Sequence, residues 1–465
     1  MKRETENLFN IPWQVKKYED LTGRHSSIYF DVDDFEEIIE YYLLNGDYIR
    51  AKQVAEYAGS VHPSSIPLML KKAQLLASFN KETHALELLT RVEDLDPTNH
   101  DIFLTKGAIY SQMMNYEKAI EEYNKAVYGA DEPDFVYCNI AFEYENMGNF
   151  DKTIEYLNKA LEVNPDNDLA IYEAAYCFDL LSLTEEGISF FRRLIERNPY
   201  STEAWFNLGV SYINAGLYEK ALDALEYSLA IDQEHEHSWF HKGYTLSLLN
   251  RHTEAIAAYR ESMDEDESDA MKFYYIGECH EKLEDYHEAK NYYLKCTRLD
   301  PELADAWVGI SICEIETGQT GKAVNFLEKA INLDPENVSF LCLLGSSHFL
   351  NKEFEKGSAA YEKALGIEPN DEETWLEYAE ALIKTDDIAG ATKVTQRAVE
   401  TLPGKNGLLY LTAALLFARG KAQEGSVCLE EAHQNDPNGL ALLMKRFPKL
   451  CEHPDFTNAA GNLCI

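Results

Sequence analysis

Thirty-four residues separate nearly every structural landmark in this chain. From Val32 to Gly439 the sequence divides into twelve consecutive units of that length, without insertion or deletion. Proline falls at the thirty-second place of nine units, from Pro63 and Pro97 to Pro403 and Pro437, which accounts for nine of the fourteen prolines in the chain. A fixed period of this size means stacked supersecondary units, each burying its apolar face against the next, and not one globular core.

Each unit reads as two helices. Places four, seven, eight and eleven follow the i, i+3, i+4, i+7 spacing of a buried helical stripe. Place four is apolar or aromatic throughout and holds four of the five tryptophans: Trp205, Trp239, Trp307 and Trp375. Place eight is small in every unit except the first, where Ile39 stands. In the second half, place twenty is small again (Ala51, Ala85, Ala119, Thr153, Gly187, Ala221 and onward), and a large residue such as Leu89, Tyr123 or Phe191 recurs at place twenty-four. Two small places facing each other let helix axes approach closely, and a larger residue at either would overpack the contact by roughly 1–3 kcal/mol. The proline at place thirty-two ends the second helix, since it has no N–H and disfavours helix in the residue before it.

These residues, with Trp205-x-x-Leu208-Gly209-x-x-Tyr212 followed by Ala221 as the clearest run, closely resemble the tetratricopeptide repeat family. The resemblance spans residues 32–439, with units at 32–65, 66–99, 100–133, 134–167, 168–201, 202–235, 236–269, 270–303, 304–337, 338–371, 372–405 and 406–439. It implies an all-α, right-handed superhelix of antiparallel helix pairs, whose first helices line a concave groove that binds peptides or protein surfaces.

The chain carries 42 basic and 81 acidic residues, a net charge of −39, and the imbalance lies in the repeats, with 34 basic against 74 acidic. Such a field favours basic partners and discourages nucleic acid or anionic membranes; it equally serves to keep a surface-rich solenoid soluble. The nine cysteines include no C-x-x-C pair. Cys279 and Cys313, one unit apart at the same place, are expected at helix-packing distance, too far for a disulfide. Reduced packing cysteines, no apolar leader after Met1-Lys2-Arg3 and no 18-residue apolar stretch point to a cytoplasmic protein.

Residues 1–31 precede the repeats. Trp13, Val15, Tyr18 and Leu21 form a short apolar stripe that either covers the exposed face of the first unit or lies in the groove. At the other end, 440–465, Leu440 to Phe447 begins a thirteenth first helix as a cap and stops at Pro448, leaving a loosely held tail from Cys451 to Ile465. Three units lack the terminal proline. One of these joints is Asp264-Glu265-Asp266-Glu267-Ser268-Asp269, without the alternating ligands, glycine and distal glutamate of a calcium loop, which leaves a solvated turn or a docking point for a basic partner.

No phosphate loop, nucleophile elbow or zinc-type cysteine spacing is present, so no cofactor and no enzymatic activity are expected. His237 and His241 lie four apart on one helical face, but without a fixed third ligand no metal site is expected. Places two, six, nine and thirteen point away from the buried stripe of the first helix, and the resemblance puts that face in the groove. Place five is apolar in eleven units, which reads as packing between neighbours. Place nine carries a run of large apolar residues in units four to seven, Phe142, Tyr176, Val210 and Tyr244, a pattern that marks an interface. Phe135, Asn139, Asn146, Asn207 and Asn214 stand around it, and His237, His241, Met271 and Tyr275 extend it.

Asparagine can hold a peptide backbone through both donor and acceptor. Asn139 and Asn207 are similar to the asparagine ladder of O-linked N-acetylglucosamine transferases, though only in alternate units; packing across a narrow superhelix is the other reading. The lysine and asparagine of a chaperone-tail clamp are absent from places five and nine, as at Tyr172 and Tyr176. The expected function is a non-enzymatic scaffold or adaptor whose groove binds a protein or peptide with basic and apolar residues, with a self-associating structural component as the alternative.

Overall fold

The computed structural model describes residues 11–23, 29–263 and 268–463. Among the described residues there are 28 helices and no strand. From Val32–Leu44 and Tyr48–Val61 to Asn406–Ala418 and Ala422–Asn435 the helices come in consecutive pairs. The molecule is an all-α solenoid of tandem helix pairs. Its helices form two compact units, Met1–His235 and Glu236–Ile465.

Within a pair, closure depends on a match between places eight and twenty-four. Where place twenty-four is tyrosine, place eight is glycine: Gly107 with Tyr123, Gly243 with Tyr259, Gly277 with Tyr293, and Gly345 with Tyr361. A Cβ on Gly243 or Gly345 would lie 2.7 Å from its tyrosine ring, so the ring occupies the space a side chain would need. Where place twenty-four is leucine, alanine is tolerated, as at Ala141 over the fully buried Leu157. The first unit inverts the pairing, with Ile39 opposite Ala55, both buried.

The turn inside each pair is the same in all twelve. Place fifteen has positive φ throughout, between 54° and 77°, and is glycine in only five units, such as Gly46 and Gly148; Met114, Ser182 and Lys352 are among the others. The left-handed residue satisfies the last carbonyls of the first helix, as in the bond from Met114 N–H to Ser111 O at 2.8 Å.

The second helices end in extended residues placed before proline: Asn164 at φ −131°, ψ 95° and Asp300 at −127°, 94°. Asp232 takes nearly the same angles ahead of Gln233, so the joint survives loss of the proline. The proline carbonyl has a recurrent partner. Trp205, Trp307 and Trp375 each donate their indole N–H to the carbonyl of the preceding Pro199, Pro301 or Pro369 at 2.9 Å, which ties each unit to the one before.

Several first helices of successive pairs touch one another, as Ile66–Ser78 does His100–Gln112 in the N-terminal unit and Val338–Leu350 does Glu372–Lys384 in the C-terminal unit. Among the described residues second helices make no comparable contact. The more closely spaced layer is the inner one of each compact unit, so the first helices present its inner face.

The ends are capped. Helix Trp13–Gly23 packs on Val32–Leu44, with Val15 buried beside Phe30, Phe35 and Ile38; residues 24–28 lie outside the described residues. The C-terminal expectation needs correction. Beyond Gly439–Arg446 the chain forms Pro448–Cys451 and Pro454–Leu463. Phe456 is wholly buried, its ring edge-on to Phe417 at 5.8 Å. The tail is therefore held by an aromatic anchor, because Phe417 and its neighbours would otherwise expose an apolar end. The acidic joint Asp264 to Glu267 lies outside the described residues.

Candidate functional site

In the N-terminal unit, helices Pro133–Asn146, Asp168–Leu180 and Thr202–Asn214 carry the residues singled out by spacing. Phe135 and Tyr176 are exposed, at 51% and 47%. Asn146 is exposed, while Asn139, Phe142 and Val210 are half-buried. Phe142 rests against the core around Leu157 and Ile171. Asn214 reaches back one unit, its amide donating to Asp179 Oδ1 at 3.1 Å. Asn207 is buried, and its amide donates to the Glu203 carbonyl of its own helix at 2.9 Å. Phe135 and Tyr176 thus stay open to solvent, whereas Phe142 is half-buried and Asn207 is buried.

One member was missed. Tyr172, at place five, is 67% exposed, against the expectation that place five packs between neighbours. Cys138 at the same place one unit earlier is wholly buried; the longer tyrosine extends past the seam that a cysteine fits. Leu169 and Leu180 on the same helix are also exposed. In this pair Phe178, Phe190 and Phe191 pack together with ring centroids 5.2–6.2 Å apart. The small Ala175 and Gly187 keep places eight and twenty, and the rings wedge in at places eleven, twenty-three and twenty-four.

The strip has acidic neighbours. Burial pushes the Glu173 carboxyl above the usual carboxylate range, and Glu145 adds to the effect. Asp168 is raised by burial and then by Glu203 and Asp166. A cation beside either would favour its ionised form.

In the C-terminal unit the remaining sequence-derived residues sit on Glu236–Leu248 and Ala270–Lys282. His237 and Met271 are exposed; His241, Tyr244 and Tyr275 are half-buried. His241 Nδ1 lies 2.9 Å from the His237 carbonyl oxygen, and the ring is edge-on to Phe240 at 5.5 Å. Tyr275 stacks on Tyr259 at 5.7 Å and meets Tyr244 edge-on at 5.9 Å. These tyrosines are the rim of an aromatic cluster. Among the described residues no group of three or more His, Cys, Asp or Glu is placed to hold a metal ion.

A second feature was not singled out from the sequence. A cavity of about 1100 Å³ opens on the inner face of Ala304–Glu316, Val338–Leu350 and Glu372–Lys384. Its lining repeats places two, six, nine and thirteen: Ser339, Leu343, Ser346 and Leu350, then Glu373, Glu377, Glu380 and Lys384, with Ile312 beside them. The signal was available, because Leu343, Ile312 and Leu350 are apolar at outward places. They are spread over three different places and form no run at any one.

Arg446 of the C-terminal cap also lines this cavity. Its guanidinium grips Glu373 with two bonds, at 2.7 and 3.2 Å, and lies 3.4 Å from Glu380. The intervening Asn406–Ala418 helix offers Gly407, Leu411 and Ala414 at places two, six and nine, a low surface that an arginine can cross. The buried cysteines are poor nucleophiles. Burial pushes the Cys138 and Cys313 thiols up to about 12, which leaves them protonated and unreactive.

Comparison with known proteins agrees with this architecture. Tetratricopeptide repeat models match residues 135–167 and 202–235, and a further one matches 100–128, 236–269, 273–303, 304–337 and 338–371. The chain belongs to the tetratricopeptide repeat family, whose members are generally interaction scaffolds. It is similar to a chain in the crystal structure of the APC/C hetero-tetramer Cut9-Hcn1, with 15% identity, 86% of this chain and 92% of that one covered, and a TM-score of 0.41. It is also similar to YrrB, a TPR protein with an unusual peptide-binding site (22% identity, 40% and 97% covered, TM-score 0.36). A tetratricopeptide repeat protein from Parabacteroides merdae ATCC 43184 is another (15% identity, 54% and 98% covered, TM-score 0.41). No curated protein matches the sequence. Among the described residues no helix is long and apolar enough to cross a membrane.

Proposed function

We propose that this protein is a non-enzymatic scaffold that binds a segment of a partner protein on the inner face of its first helices. The observation that carries the reading is the exposed aromatic strip Phe135, Tyr172 and Tyr176 on two adjacent first helices. Solvent-facing rings grouped in this way bury area on binding at roughly 25 cal/mol per Å². Asn139, Asn146, Val210 and Asn214 form the margin of that face. His237, His241, Tyr244, Met271 and Tyr275 offer a separate face of the same kind in the C-terminal unit.

The partner segment carries apolar anchors with basic residues beside them, because Asp168 and Glu173 border the strip with carboxylates that burial has made costly to ionise. The acidic surface speeds encounter with such a segment in a salt-dependent manner and repels nucleic acid. A cytoplasmic location suits the described cysteines, all free and all but Cys428 buried.

The test is site-specific photocrosslinking. A photoreactive phenylalanine at position 172 or 176 should give discrete adducts in cells. The same group at Glu196, exposed on the second helix Thr184–Arg197, should not. Equal adducts from all three positions would show that the inner face has no special role.

A further inference from the structure

The cavity in the C-terminal unit has two unlike walls. On one side Val308, Ile312 and Leu343 present aliphatic surface; on the other Glu373, Glu377 and Glu380 stand at i, i+4 and i+7 on one helix. The two outer carboxylates are already matched. Glu373 holds the Arg446 guanidinium through two bonds, and Glu380 lies between Lys384 Nζ at 2.8 Å and Arg446. Asp371, at the rim, caps its own helix through the Thr374 N–H and hydroxyl at 3.0 and 2.6 Å.

Glu377, at the centre, has no such partner among the described residues, and it is half-buried. Burial pushes its carboxyl up and Glu373 pushes it further, while Arg446 pulls the other way. The molecule's own Arg446 shows that this wall accepts a guanidinium in bidentate geometry, the arrangement that gives an arginine–carboxylate pair both strength and direction.

We propose that this cavity is a second docking site, which receives a partner's extended segment by seating an arginine or lysine on Glu377 and the neighbouring aliphatic side chains on Ile312 and Leu343. The occupant is a peptide segment because the cavity is open along the inner face and lined by three successive first helices. It is cationic because, among the described carboxylates lining that wall, Glu377 is the one with neither a hydrogen-bonded base nor a capping bond. Arg446 and Lys384 fix the register by neutralising the flanking glutamates. A second cation is thereby steered to Glu377, and a partner's carboxylate is turned away by the wall as a whole. The site rests on the reading of the chain as a scaffold, and not on the Phe135–Tyr176 strip, which belongs to the other compact unit.

The experiment uses the full chain and a random dodecapeptide phage library as probe. Selected peptides should be enriched in arginine or lysine flanked by leucine, isoleucine or valine. A synthetic copy of a selected peptide should bind Glu377→Gln about tenfold or more weakly. Replacing its arginine with citrulline should cause a similar loss, with no further loss on Glu377→Gln. Binding should survive Tyr172→Ser with Tyr176→Ser, which separates this site from the strip.

Leu343→Asn should also weaken capture, and circular dichroism with Glu377→Gln, an isosteric change, guards against unfolding as the cause. Peptides without basic enrichment, or basic peptides indifferent to Glu377→Gln, would overturn the assignment. So would a selection that yields no peptide dependent on Leu343.

Discussion

Tyr293 is held between two glycines, and that arrangement makes a sharp test of how the pairs close. A Cβ on Gly277 would lie 2.8 Å from the ring, and one on Gly309, in the next first helix, 2.5 Å from its other edge. The ring is almost wholly buried, and its hydroxyl donates to Glu281 Oε2 at 2.9 Å, so it cannot swing aside without giving up that bond. Gly277→Ala must therefore push helix Ala270–Lys282 away from Tyr286–Leu299.

Overpacking of this kind costs about 1–3 kcal/mol, and the better helix propensity of alanine returns up to about 1 kcal/mol. A net loss of about 1–2 kcal/mol follows. Because repeat arrays open segment by segment, the readout is hydrogen exchange of peptides spanning residues 270–299, which should quicken about 5- to 30-fold. Gly366, in helix Phe354–Ile367 with nothing within 4 Å of its would-be Cβ, is the control: Gly366→Ala should stabilise by about 0.5–1 kcal/mol. In a Tyr293→Leu background Gly277→Ala should become neutral or favourable, since Ala141 over Leu157 already works. If Gly277→Ala slows exchange in the native background, or costs the same beside leucine, the ring is not what excludes the side chain.

Met114→Gly should raise the melting temperature by relieving a left-handed residue whose exposed side chain contributes little, worth up to about 1 kcal/mol; a fall would mean the methionine makes contacts that matter. Glu143 is buried with one carboxylate oxygen unpartnered, and burial raises its pKa. The folded state therefore holds that proton more tightly than the unfolded chain, so the penalty is absent below the ordinary value of 4.5 and grows as pH rises through and above it. Glu143→Gln should accordingly stabilise the protein at pH 7 and have no benefit at pH 4, and urea titrations showing the reverse order would contradict this. Phe456→Ala should cost about 3–5 kcal/mol of local stability, visible as rapid protease trimming within Pro454–Leu463; an unchanged cleavage pattern would mean the tail is held by something else.

The pairing of helices was legible because it depends on residue size at fixed places. Small residues at eight and twenty, and the proline before each joint, are properties of single positions, and periodicity exposes them directly. The left-handed turn at place fifteen was not legible, since Met114, Lys352 and Asp386 occupy it as well as glycine: the packing of both helices imposes the turn whatever the residue. The docked tail was missed for a similar reason. One phenylalanine, Phe456, anchors it, and a single residue makes no pattern.

The candidate face divides along the same line. Helical geometry identifies which places turn inward, and Phe135, Tyr176 and Glu377 lie on them, whereas Tyr172 does not. Which inward residues stay open depends on what crosses the face from elsewhere in the chain. Asn207 disappears into its own helix, while Tyr172 emerges from a place where Cys138 is buried. Arg446 reaches Glu373 across 73 residues of sequence, a contact that no repeat-by-repeat comparison contains because it belongs to the cap. Periodicity describes what the units share, whereas a binding site is where they differ. Two such differences stand out among the described residues: aromatic rings left uncovered in the N-terminal unit, and Glu377 left without a hydrogen-bonded base in the cavity of the C-terminal unit.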